Sequence, residues 1–197
     1  MRIFKIVAAI ILALAFATSF AFSAFASSQQ KSGGDYSAIS TITERSSQWM
    51  LEQFGHCQTI PELLDEIDRF GCENFVYERL YKMQMIQSFD LDKFIFEDDF
   101  HGVCFEFSSF VKCAVLVWKE AHHRDDVQAY VYDVRKSLSW THSYNFIMEK
   151  GHTWYICMTT NNSLVSAGKQ SQGVIEILGE TPKEYANRHG MHVYNIN

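Results

Sequence analysis

The sequence predicts an α+β fold, with N-terminal helices and a buried, cysteine-bearing helix packed on an antiparallel sheet. Three observations predict it. Apolar residues recur at helical spacing through the first part of the chain, and residues 104–122 are apolar nearly all round. After them come short runs of β-forming residues separated by turns. Helices first and strands afterwards is the order of an α+β domain rather than of alternating βα units.

The first residues read as a leader. Met1-Arg2-Ile3-Phe4-Lys5 is a basic start, Ile6 to Phe22 is apolar, and Ala24-Phe25-Ala26 fits a small-x-small cleavage site before Ser27. The expectation is a signal peptide over 1–26, a flexible lead-in over 27–36 and one domain over 37–197, secreted or periplasmic. A retained membrane anchor is the competing reading, because the apolar run is nearly long enough to span. The polar segment Ser27–Gly34 favours cleavage, and then no stable membrane anchor remains.

Charge narrows the partners. Losing Arg2 and Lys5 takes the 17 bases to 15 against 23 acids, and the net charge from −6 to −8. No basic stripe is left to hold phosphates, so no nucleic-acid partner is expected. Aromatics at 15% and only two prolines point to a packed body.

Helix signals come in order. Ile39 to Phe54 reads as a helix through Ile42, Trp49, Met50 and Phe54. Thr59-Ile60-Pro61-Glu62 has the form of a capping box with proline in the first turn. It opens a helix through Leu63, Leu64, Ile67 and Phe70, with Gly71 as its expected C-cap. A third helix is expected over Asn74–Met85, and an extended segment and loop over Asp90–Phe100. The helix from Cys104 to about His122 belongs in the core, since a helix apolar all round has no solvent face.

Strands follow at Val127–Val134, Ser143–Met148 and Thr153–Met158, the last two joined by the hairpin-like turn Glu149-Lys150-Gly151-His152. Gly173–Leu178 is a further strand. Thr181-Pro182-Lys183-Glu184 repeats the capping box before a short helix to about His189, and Met191–Ile196 closes the sheet.

The chemistry centres on two residues. Cys104 follows Gly102-Val103 where the core helix begins, and a helix N-terminus favours the thiolate. His142 comes 38 residues later on a strand. Cysteine catalysis needs a thiolate, a base and a group that orients the base. Cys104 and His142 fit the first two roles, and the N–H groups of the helix start could hold an oxyanion. A buried core thiol and a packing histidine are the plainer readings. His101 is a rival base. His122, His123, Asp125 and Asp126 look like a solvated helix end, so no metal and no cofactor are expected. Five cysteines, Cys57, Cys72, Cys104, Cys113 and Cys157, leave an odd thiol if up to two disulfides form.

These residues resemble the transglutaminase-like superfamily, within the papain-like cysteine-enzyme fold. Gly102-Val103-Cys104 is similar to its Gly-x-Cys block, His142-Ser143-Tyr144-Asn145 to its histidine strand, and Trp154-Tyr155 to the start of its third block. The likeness covers about Asp98 to Thr160. It implies a papain/transglutaminase-like core and a Cys104 thioester formed from an amide of a protein or peptide, with cell-wall peptide among the candidates. Hydrolysis is expected over crosslinking, with Trp140 and Tyr144 lining the substrate site.

One position departs from the pattern. The family's aspartate falls on Met158, which cannot orient an imidazole, and its threonine falls on Thr160. Three alternatives stand: Asn161 or Asn162 orients His142 after a register shift, the site works as a dyad, or the fold has become a binding module without catalysis. A cell-wall amidopeptidase of the NlpC/P60 kind shares the Cys-then-His order but carries Asp-Cys-Ser, where this chain has Val103-Cys104-Phe105.

Overall fold

The computed structural model describes residues 42–78, 89–137, 140–158 and 173–196, with the backbone alone at 136, 137, 140 and 141. The leader and lead-in over 1–36, and Thr160, Asn161 and Asn162, lie outside the described residues, as does the side chain of Trp140.

Helix α1 is Glu44–Phe54. Thr43 caps it, its Oγ1 accepting the Ser46 N–H at 3.2 Å. The same hydroxyl donates to Asp92 at 2.8 Å, which ties the start of α1 to the segment before the cysteine. The expected start at Ile39 moves to Glu44 because Thr43 satisfies the first N–H groups and leaves Ile42 outside.

Helix α2 is Ile60–Asn74, opened by the capping box read from the sequence. The Glu62 carboxylate accepts the Thr59 N–H at 3.2 Å, and Thr59 Oγ1 accepts the Glu62 N–H at 3.4 Å. Gly71 does not end this helix. It sits within it, where a Cβ would stand 2.3 Å from Met158 Cε and 3.1 Å from the Phe75 ring. The glycine serves close packing, and the helix runs on to Phe75.

Two further expectations are corrected. Directly after Asn74 comes the short strand β1, Val76–Tyr77, paired in parallel with β2, His101–Gly102, and residues 79–85 of the expected third helix lie outside the described residues. The segment expected to be extended holds helix α3, Leu91–Phe96, with Asp90 accepting the Lys93 N–H at 3.0 Å. Leu91, Phe94 and Ile95 are its buried positions, an i, i+3, i+4 set that the acidic neighbours obscured.

Helix α4, Cys104–Ala121, runs through the core. The sheet then forms from β3 (Val127–Ser137), β4 (Trp140–Glu149), β5 (His152–Cys157), β6 (Gly173–Ile177) and β7 (His192–Ile196). Its order is β6-β5-β4-β3-β7, antiparallel throughout. Lys150 and Gly151 turn β4 into β5 with φ of 41° and 86°, the left-handed pair a two-residue hairpin requires. The short helix α5, Pro182–Arg188, carries the second capping box and leads into β7.

The strand period of two divides the sheet into two faces. Val127, Ala129, Ile147, Trp154 and Ile156 pack against α4 and the N-terminal helices. Tyr132, Val134, Tyr144, Phe146, Tyr155 and Ile177 pack under α5, against Tyr185 and Ala186. On α4, Phe107, Phe110, Val111, Val115 and Trp118 are all within 2% of full burial. Each such side chain is worth about 1.5–3 kcal/mol against exposure, so α4 cannot rotate without spending a domain's whole margin of about 5–15 kcal/mol. That rigidity fixes where its N-terminus ends up.

Candidate active site

The start of α4 is built by Gly102, Val103 and Glu106. Val103 is extended (φ −122°, ψ −179°) and has no side-chain oxygen to cap with. Glu106 reaches back instead, its Oε2 accepting the Val103 N–H at 3.0 Å. A Cβ at Gly102 would stand 3.0 Å from Glu106 Cβ and 3.3 Å from the Phe94 ring, so glycine allows this close turn. Glu106 is buried, and that burial pushes its carboxyl above the usual range, against the Val103 N–H that pulls it down.

Cys104 is therefore the first residue of an 18-residue helix. It remains partly exposed, whereas Glu106 to Trp118 are buried without a break. The first-turn N–H groups have no carbonyl one turn back and face outward around the thiol. The expected placement of the cysteine at the helix start is what the structure shows.

Asn145 ties the sheet to that helix. Its Nδ2 donates to the Ser108 carbonyl at 2.9 Å and to the Tyr130 carbonyl at 3.3 Å. Ser108 lies one turn beyond Cys104, and His142 lies three residues before Asn145 on β4. The amide thus sets the spacing between the helix start and the start of β4.

Cys104 lies within electrostatic range of this end of the sheet. Its charge acts on Cys157 of β5 and on Tyr194 of β7. Strands β4 and β3 lie between those two strands.

His142 has a partner the sequence did not reveal. Its Nε2 lies 3.0 Å from Cys157 Sγ. Burial pushes the Cys157 thiol up to about 11, a hydrogen bond with Tyr155 pulls against that, and the charges of Cys104 and Asp68 push further. Cys157 is thus a neutral thiol at neutral pH, unsuited to act as the resting nucleophile. The register Asn145↔Ile156 sets Cys157 beside the start of β4, and this pairing is the signal that could have found it.

Met158 points elsewhere. Its side chain packs against the core under α4, with its methyl group over Gly71. The orienting acid of the resembled pattern has no counterpart at this position. Asn161 and Asn162, the candidates in its place, fall outside the described residues.

Tyr144, expected at the substrate site, is fully buried. It packs among Tyr132, Phe146 and Tyr155 beneath α5, with ring centroids 4.9–6.5 Å apart. Its hydroxyl has no hydrogen-bond partner among the described residues, and burial raises its phenol pKa. This placement makes Tyr144 a packing residue, because strand alternation turns it to the α5 face. Trp154 is likewise buried, under α4.

Other polar groups at this end of the sheet were not read from the sequence. Ser143 Oγ donates to Asp133 Oδ1 at 2.6 Å, and Asn195 Nδ2 donates to Asp133 Oδ2 at 3.0 Å. The Arg135 guanidinium stands 5.5 Å from the Tyr194 ring. Partial burial and the charges of Asp133 and Cys104 raise the Tyr194 phenol pKa.

The remaining candidates sit apart. His101 Nδ1 lies 2.7 Å from Glu78 Oε1, beside β2. His122 stacks on Trp118 and meets the Gly55 carbonyl at 3.1 Å through Nε2. Among the described residues no group of three or more His, Cys, Asp or Glu side chains could hold a metal ion. None of the five cysteines forms a disulfide.

No protein-family model matches the sequence, and no curated protein matches it. Among solved structures, the fold is similar to a candidate cysteine protease from Cytophaga hutchinsonii, at 15% identity and a TM-score of 0.44, over 85% of this chain and 54% of that one. It is also similar to a transglutaminase (TGase), at 12% identity and a TM-score of 0.40, over 75% of this chain and 38% of that one. The chain thus spans about half or less of the length of either.

Proposed function

We propose that this chain is an exported, transglutaminase-like cysteine enzyme. In this reading it attacks a peptide or side-chain amide through Cys104, with His142 as its base, and releases the acyl group to water. The observation that carries the reading is that Cys104 opens the buried helix α4, while His142 lies on β4, the strand that Asn145 ties to the same helix.

The chemistry is that of acyl transfer. The Cys104 thiol loses its proton to His142 and the sulfur attacks the amide carbon. First-turn N–H groups of α4 are the donors for the oxyanion, and the amine leaves with a proton from His142. Water then cleaves the thioester. A lysine amine in place of water would give a crosslink. Hydrolysis is preferred for one small domain, and the leader-like start with its Ala24-Phe25-Ala26 site supports export.

A second reading is a binding module that keeps the fold without chemistry. It is favoured by one observation, the apolar Met158 where the resembled pattern has an acid. Thiol labelling separates the two. Folded protein treated with iodoacetamide and mapped by peptide should show Cys104 reacting at least tenfold faster than the exposed thiol of Cys72, and His142→Ala should remove the excess. Cys104 reacting at the ordinary rate would leave the binding module standing.

A further inference from the structure

We propose that Cys157 is the positioning residue of His142, taking with a thiol the role that a carboxylate or amide fills in a conventional triad. The inference rests on the reading of Cys104 and His142 as nucleophile and base, and it names the third member of that site.

The geometry carries it. Cys157 Sγ stands 3.0 Å from His142 Nε2, within hydrogen-bond reach. With Nε2 directed at Cys157, this reading assigns Nδ1 as the ring nitrogen that acts on Cys104. Cys157 is itself held, being packed against the Tyr144–Tyr155 cluster beneath α5 and hydrogen-bonded with Tyr155. Its titratable neighbours are His142 on β4, Cys104 on α4, Asp68 on α2 and Tyr155 on its own strand, with Tyr144 and Tyr185 facing the same cluster.

The proton inventory is simple. In the resting site the His142 Nε2–H donates to the Cys157 sulfur and Nδ1 carries the lone pair. The Cys104 S–H proton passes to Nδ1 and yields a thiolate beside an imidazolium. Nε2–H stays in place and still donates to Cys157, which gains and loses no proton. A neutral sulfur is a weaker acceptor than a carboxylate, so it fixes the tautomer and ring angle but stabilises the imidazolium less. The same neutrality spares Cys104 a second negative charge at close range.

The test is the pH profile of Cys104 alkylation, site-mapped, in Cys157→Ala and Cys157→Asn. An asparagine oxygen accepts the Nε2–H as the sulfur does, and an alanine methyl cannot. Cys157→Ala should slow Cys104 about tenfold at pH 7, a part of the roughly 10²–10⁴-fold that general-base catalysis supplies, and shift the profile towards that of an ordinary thiol. Cys157→Asn should restore rate and profile. An unchanged profile in Cys157→Ala, or no rescue by Cys157→Asn, overturns the inference. Nitrogen-15 shifts of His142 in the unmodified protein provide a test free of folding effects: the neutral ring should carry its proton on Nε2, and a proton on Nδ1 overturns it. If Cys104 in the parent protein reacts only as fast as Cys72, the parent reading has failed instead, and that result is distinct from both.

Discussion

Asn145 donates its amide to the Ser108 carbonyl across 2.9 Å, from the strand that bears His142 to the helix that starts with Cys104. Two elements far apart in sequence are held in fixed spacing by one buried side chain. The bond lies in the first turns of α4, where a small shift would move the thiol relative to the ring. Positioning of this kind is what acyl-transfer chemistry depends on, since misplacement of about 1 Å can cost about 100-fold in rate.

Replacing Asn145 by Leu should therefore lower both stability and reactivity. Two donated hydrogen bonds end and the Ser108 carbonyl loses a buried donor, for a loss of about 1–3 kcal/mol in urea unfolding. Cys104 alkylation should slow in parallel, even where the variant is fully folded. Unfolding midpoints and site-mapped labelling on one preparation check this.

Glu106 links the cap of α4 to pH. Its carboxyl is raised in the fold, chiefly by burial, above its ordinary value of 4.5. The folded state therefore holds this proton more tightly than the unfolded chain. The group's contribution is most favourable below 4.5, declines as pH rises through 4.5 towards the folded value, and is level beyond it. Glu106→Gln can still accept the Val103 N–H without carrying a charge. The variant should be more stable than the parent at pH 7, and the advantage should vanish near pH 4. Paired denaturation curves from pH 4 to 8 give the difference directly.

Met158→Asp would restore the family's acid in sequence but not in space. The side chain is partly buried against Gly71 and the apolar core, so a carboxylate there loses part of its solvation. The expected result is a loss of about 2–4 kcal/mol, as for truncating a core methionine with a buried polar group added, and no gain in Cys104 reactivity. Faster alkylation in this variant would place position 158 against His142 and count against Cys157.

Trp118→Phe separates stability from chemistry. The indole Nε1 donates to the Cys57 carbonyl at 2.9 Å, deep in the core and well along α4 from Cys104. Losing that bond should cost about 1–3 kcal/mol. The rate of Cys104 alkylation in the folded variant should match that of the parent. Melting temperature and labelling rate together test the distinction.

Local chemistry made much of this legible in the chain. The boxes at Thr59–Glu62 and Thr181–Glu184, the turn at Lys150-Gly151 and the all-apolar run after Cys104 each encode their element by short-range rules, and each is found. Where neighbours competed, local reading lost. Gly71 looked like a helix stop, but a methionine from beyond β5 occupies the space its missing Cβ leaves. Asp90 and Asp92 made α3 look like loop, although one caps that helix and the other holds Thr43.

The site divides the same way. The sequence by itself determined that a glycine-preceded cysteine opens a core helix and that a histidine follows on a strand, because helix starts and strand runs are written in consecutive residues. Only the tertiary structure decided who stands next to that histidine. Counting along the strand pointed to Met158, but residues alternate between the faces of a sheet. One step in register sends the methionine into the core and brings Cys157 to the ring.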